Sequence, residues 1–240
     1  MAFVVPLRFC GPPASGNGGW VSGHLSRLVT TTVALPAVTV RLRTPPPLER
    51  ELAVQARDAV VHLLDGEQLV AQGAPAAALP GPTVPPVPFT EAQLAGSGYE
   101  GLASHPFPTC FSCGTARAAR DGLRQQPGRV AGGGGEYASA WVPADDVDTE
   151  TVWAALDCPG GWASGIAGRA MVLGTMTAQL WALPTPGEPH VVMAWERGHE
   201  GRKHYSATAL YGADGRLVAQ AEATWVAVDP ATVRPSERHL

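Results

Sequence analysis

Apolar and polar positions alternate most clearly at Val38, Val40 and Leu42 against Thr39, Arg41 and Arg43. That period of two predicts a half-buried strand. Leu52–Leu64 and Gln68–Ala74 read as further strands, joined at Asp65-Gly66, a dipeptide that favours a tight hairpin. In the C-terminal half, Gly174–Ala182, His190–Arg197, Tyr205–Tyr211 and Leu217–Val228 read the same way, with Asp214-Gly215 before the last run. Two segments rich in small residues, Gly18–Thr31 and Gly160–Met171, are expected as helices, because small side chains let a sheet wrap closely around a helix. Each half is then strand, helix and a run of antiparallel strands, an α+β layer arrangement.

The two halves share short blocks. Gly18-Gly19-Trp20-Val21-Ser22-Gly23 recurs, with one change, as Gly160-Gly161-Trp162-Ala163-Ser164-Gly165. Leu69-Val70-Ala71-Gln72 recurs unchanged as Leu217-Val218-Ala219-Gln220, in both cases just after an Asp-Gly turn. Block starts are 51 residues apart in the first half (69 − 18) and 57 in the second (217 − 160). This ordered recurrence predicts an internal duplication with Gly18 matched to Gly160, the two copies packing as a symmetric dimer would. The expected units are 1–78 and 109–230, separated by a linker at 79–108 and followed by a tail at 231–240. The wider stretch from Gly73 to Pro108 is rich in Ala, Pro and Gly; Pro80, Pro82, Pro85, Pro86 and Pro88 exclude a helix interior or a central strand there. Some helical character is expected around Glu91–Leu94. The glycine run Gly132–Gly135 reads as a loop.

Composition narrows the function classes. A net charge of −4 gives no basic surface for a nucleic-acid backbone. No apolar run is long enough to cross a bilayer, and the N-terminus lacks the basic flank and cleavage site of a signal peptide, so the expected compartment is the cytoplasm. Four cysteines in 240 residues do not make a disulfide scaffold. Self-association is compatible with the sequence but not dictated by it.

Certain motifs resemble those of the hotdog-fold thioesterases, in the fused double-hotdog form of some acyl-CoA thioesterases. Asn17-Gly18-Gly19 looks like the His-Gly-Gly entry to the central helix, with Asn in place of His. Leu156-Asp157-Cys158-Pro159-Gly160-Gly161 is similar to an Asp-containing helix entry, and Cys110-Phe111-Ser112-Cys113-Gly114 to a lead-in before hotdog units. The resemblance implies a long helix wrapped by an antiparallel sheet and an acyl-thioester substrate, with coenzyme A a candidate carrier. One departure is that neither expected helix carries the acid that many hotdog enzymes place there.

Thioester hydrolysis needs a polarised carbonyl and a base or nucleophile. Gly18, Gly19, Gly160 and Gly161 fit backbone donors at helix starts, and equally fit close helix–sheet packing. Asp157 is a candidate base or nucleophile, or a cap for a helix beginning at Gly160. Asn17 is a candidate carbonyl partner or cap. His24 is a candidate base, or an ordinary interior histidine; only His24 with Asp157 supplies the imidazole–carboxyl pair a hydratase or dehydratase requires. Arg202 and Lys203 suit a coenzyme A phosphate or a solvated turn. Cys110 and Cys113 have the spacing of half a zinc site, but Cys10 and Cys158 are remote in sequence and His105 is a poor third ligand, so they read as buried thiols and no metal is expected. No cofactor is implied. Gly16-x-Gly18-Gly19 is not a dinucleotide loop, since Pro12-Pro13 precede it and no acid follows before Glu49. A non-catalytic module that binds acyl thioesters is the remaining alternative.

Overall fold

The computed structural model describes residues 2–229, so the expected tail at 231–240 lies outside it. Among the described residues three α-helices pack with eleven strands: β1 (Ala2–Val4), α1 (Gly18–Ser26), β2 (Ala37–Leu42), β3 (Glu51–Arg57), β4 (Val60–Asp65), β5 (Gln68–Ala76), α2 (Phe89–Ser97), β6 (Gly128–Arg129), β7 (Tyr137–Trp141), α3 (Thr149–Ala163), β8 (Met171–Leu180), β9 (His190–Glu200), β10 (Lys203–Tyr211) and β11 (Leu217–Ala227). The order strand, helix, four strands thus occurs twice. All strands join one sheet, in the order β1-β3-β4-β5-β2-β8-β11-β10-β9-β7-β6.

The halves meet at β2 and β8, which pair antiparallel over Val38↔Ala178 to Arg41↔Thr175. The hydroxyls of Thr39 and Thr177 hydrogen-bond across that seam at 2.7 Å. A continuous core runs through both halves, from Val5, Leu52 and Leu63 to Trp153, Trp162 and Trp225. The hairpin turns fall at Gly66 and Gly215, both left-handed, as the Asp-Gly dipeptides predict. Leu52–Leu64 is two strands rather than one. The chain reverses at Asp58, whose φ is +53°, and the apolar run on either side hides the turn.

The larger correction concerns the second helix. It spans Thr149–Ala163, not Gly160–Met171. Asp148 is its N-cap, accepting from the Thr151 N–H at 2.8 Å. Pro159 lies inside it; a proline interior to a helix removes one hydrogen bond and crowds the preceding turn, which is why it reads in sequence as a boundary. The helix is buried along nearly its whole length, so it lacks the one-sided stripe that marks a surface helix. Gly18 is therefore first in its helix while Gly160 is twelfth in its own (149 to 160), and the expected match of the two at helix starts does not hold. Leu69 and Leu217 do stand alike, each near the start of the last strand of its half.

α1 and α3 run antiparallel in close contact. A Cβ on Gly19 would sit 2.5 Å from the Asp157 Cβ and 2.7 Å from the Trp153 carbonyl oxygen. One on Gly23, a turn later, would sit 2.6 Å from the Glu150 Cα. Hydrogen in place of a side chain at these two positions lets the backbones approach.

The proline-rich segment is tied down rather than free. The Leu79 N–H donates to Gln179, the Gln220 amide to the Pro80 carbonyl, and the Tyr211 hydroxyl to the Val84 carbonyl. α2 extends the helical character expected at Glu91–Leu94 and buries Ala92 and Ala95 in a small outer core with Ala138, Val191 and Met193.

Replacing Gly23 by Ala tests the helix contact. Alanine favours a helix interior by about 1 kcal/mol, yet here its methyl meets backbone. We expect Gly23→Ala to lower unfolding free energy by roughly 1–3 kcal/mol, the scale of an overpacked core, read from denaturant midpoints. A stabilised variant would mean the helices stand further apart.

Candidate functional site

The start of α1 is the focus of the site. Asn17 is its N-cap, its side-chain oxygen accepting from the Trp20 N–H at 2.8 Å. That bond fixes the amide, whose nitrogen then donates to Asp157 Oδ2 at 3.3 Å and lies 3.6 Å from Cys110 Sγ. The Gly19 N–H donates to the same Asp157 oxygen at 3.0 Å. Asp157 Oδ1 is buried without a partner. The Gly18 N–H, first of the helix, is taken by no carbonyl or side chain among the described residues.

Asp157 thus belongs to the body of α3, facing the positive end of α1 across the helix contact, and is not a cap for a helix at Gly160. Burial, and then the neighbouring Cys110 sulfur, push its carboxyl up to about 8 against the opposing Gly19 and Asn17 donors. A carboxyl held in that range is matched to proton transfer near neutral pH. The expectation that neither helix carries an acid is therefore wrong: α3 carries both Asp157 and Glu150.

Asn17, Gly18 and Asp157 open onto a cavity of about 430 Å³. Leu42, Phe107, Ile166, Met171, Leu173 and Trp225 supply much of its apolar wall, which suits an acyl chain. Arg43, just past the end of β2, also lines the cavity; in sequence it looks like one more polar position of the alternating strand. Arg202 and Lys203 are exposed at the turn between β9 and β10. Lys203 pairs with Val226, and the Ala227 N–H donates to the Arg202 carbonyl, so the turn adjoins the strand that lends Trp225 and Val226 to the cavity.

Gly160 and Gly161 take no part in this arrangement. A Cβ on Gly160 would sit 2.5 Å from Ser206 Oγ, and one on Gly161 would sit 3.0 Å from the Trp225 ring. They let α3 lie on the sheet, so the packing reading holds for this pair.

His24 stands apart from Asp157. Its Nδ1 is 3.2 Å from Glu150 Oε1 and its ring stacks on Phe3 with centroids 3.8 Å apart. Arg27 Nη1 is 2.8 Å from the same Glu150 oxygen. The three residues clamp the far end of the α1–α3 contact.

The cysteines gather where the sequence placed them apart. Cys110 Sγ and Cys158 Sγ are 3.6 Å apart, and with Cys113 Sγ they form a buried group in which all sulfurs lie within 4.8 Å. All three line the cavity. His105 Nε2 is 3.4 Å from Cys113 Sγ. Cys158 and His105 are thus neither remote nor poorly placed. Within the trio Cys110 ionises most readily, because the thiols of Cys113 and Cys158 donate to it. One signal was available: Cys158 directly follows Asp157 in an apolar stretch.

No family profile matches the sequence, and no curated protein matches it. Solved structures do. A candidate thioesterase II from Thermobifida fusca aligns over 95% of this chain and 92% of its own, at 15% identity and a TM-score of 0.61. A protein of unknown function with the hotdog fold, from Alicyclobacillus acidocaldarius, aligns over 95% and 93% at 11% identity and a TM-score of 0.62. The GphF dehydratase aligns over 95% and 92% at 15% identity and 0.57. The chain has the hotdog fold, a large antiparallel sheet with few helices. No described helix is long and apolar enough to cross a membrane.

The Glu150 clamp makes a pH prediction. Burial alone would raise its carboxyl, but hydrogen bonds from His24 and Arg27 outweigh this and hold it below the ordinary glutamate value. A depressed folded-state value stabilises the fold above the unfolded-state pKa and is lost as pH falls through the folded one. The thermal stability of the wild type should therefore fall on acidification below the usual glutamate range, and Glu150→Gln should flatten that part of the profile. An unchanged acid limb would show the clamp to be without effect on stability.

Proposed function

We propose that the protein is an acyl-thioester hydrolase with one competent site, at Asp157 and the start of α1. The observation that carries this is a buried carboxyl, one oxygen unpartnered, beside an open helix-start N–H in a largely apolar cavity. The thioester carbonyl oxygen accepts from the Gly18 N–H, where the helix dipole stabilises the charge that develops on it. Water attacks the carbonyl carbon and Asp157, in its ionised form, takes its proton. The C–S bond then breaks, and the proton passes from Asp157 to the departing sulfur, giving a carboxylic acid and a thiol. Asn17 orients the carboxyl. The basic turn at Arg202 and Lys203, with Arg43, suits the phosphates of a coenzyme A carrier.

We further propose that the fold is a duplicated hotdog, with units at 1–78 and 109–230 joined by 79–108. The twice-repeated element order, the mirrored strand order about β2 and β8, and the like placement of Leu69 and Leu217 support it. A single site is supported by the repeated sequence blocks, in which Ser15 stands opposite Asp157 and Pro159 opposite Asn17, so the first half offers no acid there and the second no amide.

A dehydratase needs an imidazole beside the carboxyl. His24 is committed to Glu150 and Phe3. His105 shares the cavity, but its Nδ1 accepts from the Phe107 N–H and its Nε2 meets Cys113. Hydrolysis is therefore the better reading.

The purified protein offered a panel of acyl-CoA substrates should release free thiol. Hydration would consume an enoyl substrate without thiol, and a binding module would do neither. Asp157→Asn keeps the size of the side chain and an oxygen for Gly19; we expect kcat to fall roughly 10²-fold or more, the scale of lost general-base catalysis, with folding preserved. Full activity in that variant would sink the mechanism. Replacing Arg202 and Lys203 together by Ala should raise KM with little change in kcat, since phosphate contacts distant from the thioester bind ground and transition states alike. A fall in kcat at constant KM would remove them from carrier binding.

A further inference from the structure

We infer that Cys110, Cys113 and Cys158 form a binding site for a thiophilic divalent cation, zinc foremost, with its fourth coordination position facing the cavity. Zinc–sulfur bonds of about 2.3 Å at tetrahedral angles set sulfur–sulfur edges of roughly 3.8 Å. The Cys110–Cys158 separation of 3.6 Å and the 4.8 Å bound on the whole trio need only small adjustments of thiol rotamers to reach that geometry. A three-thiolate set is also the soft donor chemistry that selects zinc over calcium or magnesium.

The trio is built from two separate parts of the chain. Cys110 and Cys113 lie on one tight turn, closed by a hydrogen bond of 2.8 Å from the Gly114 N–H to the Cys110 carbonyl. A side chain at Gly114 would strike that carbonyl oxygen at 2.5 Å. The turn is held to α3 by Ser112, whose hydroxyl donates to the Ala154 carbonyl at 2.7 Å. Cys158 comes from the helix itself. The Tyr99 hydroxyl donates to the Cys113 carbonyl at 3.1 Å, which pins the second cysteine.

His105 completes the surroundings rather than the ligand set. Its Nδ1 accepts the Phe107 N–H at 2.9 Å, so in the neutral ring the proton sits on Nε2. That N–H lies 3.2 Å from the Cys113 carbonyl oxygen and 3.4 Å from Cys113 Sγ, so it holds the ligand-bearing residue from outside, as an outer-shell group does at a metal site. Three protein ligands with an open fourth position is the arrangement of zinc sites that admit water or substrate. All three cysteines line the cavity, so this position opens where the acyl thioester of the proposed function would enter. The site does not depend on that function, and metal content is read without any substrate.

The full-length protein, purified under reductant and without chelator from zinc-supplemented medium, should hold about one zinc per chain. After removal of zinc, cobalt(II) titration should produce an intense near-ultraviolet thiolate-to-cobalt band that saturates near one equivalent and releases protons as the thiols ionise. Cys113→Ser should cut the band by roughly a third per lost thiolate, whereas Cys10→Ser, outside the trio, should leave it intact. The wild-type titration needs no variant and stands even if Cys113→Ser folds poorly. A reduced, folded wild-type chain that carries no zinc and gives no cobalt band overturns the inference. So does a cobalt band that survives loss of both Cys113 and Cys158.

Discussion

The structure turns on the place where α1 and α3 touch. Two glycines a helical turn apart, Gly19 and Gly23, remove every side-chain atom from one line of α1 and let the backbone of α3 into the space. Only at that distance can the Gly19 N–H reach a carboxyl on the neighbouring helix, 138 residues away in sequence. The same approach sets Glu150 between His24 and Arg27 at the other end. The sheet wraps what the two helices define. A methyl group at Gly19 would strike the Asp157 side chain, and one at Gly23 the backbone at Glu150.

At Asn17 the folding of α1 and the geometry of the candidate site are joined. As an N-cap it has an ordinary task, and its oxygen performs it at the Trp20 N–H. That task leaves the amide nitrogen pointing at Asp157 and Cys110. Capping and site assembly are therefore consequences of one rotamer. The two readings of this residue in the sequence were never exclusive.

Much of the fold was legible, for physical reasons that are easy to name. Half-buried strands such as β2 show their period, and Asp65-Gly66 and Asp214-Gly215 mark reversals that require left-handed residues. Asp157 stood out because an acid in an apolar stretch calls for an explanation. α3 was misplaced because a helix buried on all sides has no polar stripe, and because Pro159 looks like an end when surrounding contacts let it sit inside. The cysteine trio was illegible for a different reason. Spacing reveals partners on one turn, as at Cys110 and Cys113, but Cys158 arrives through tertiary packing alone, 48 residues from Cys110.

The seam between β2 and β8 bears on how the chain is made. Emerging from the ribosome, the first half has every partner for β3, β4 and β5 but none for the free edge of β2, and nothing to cover the glycine notch on α1. An unpaired edge beside uncovered apolar surface is the usual template for unwanted association. It persists until roughly a hundred more residues have been translated and β8 can dock. The nascent chain therefore passes through a long interval as half a sheet, exposed to association until its own second half arrives.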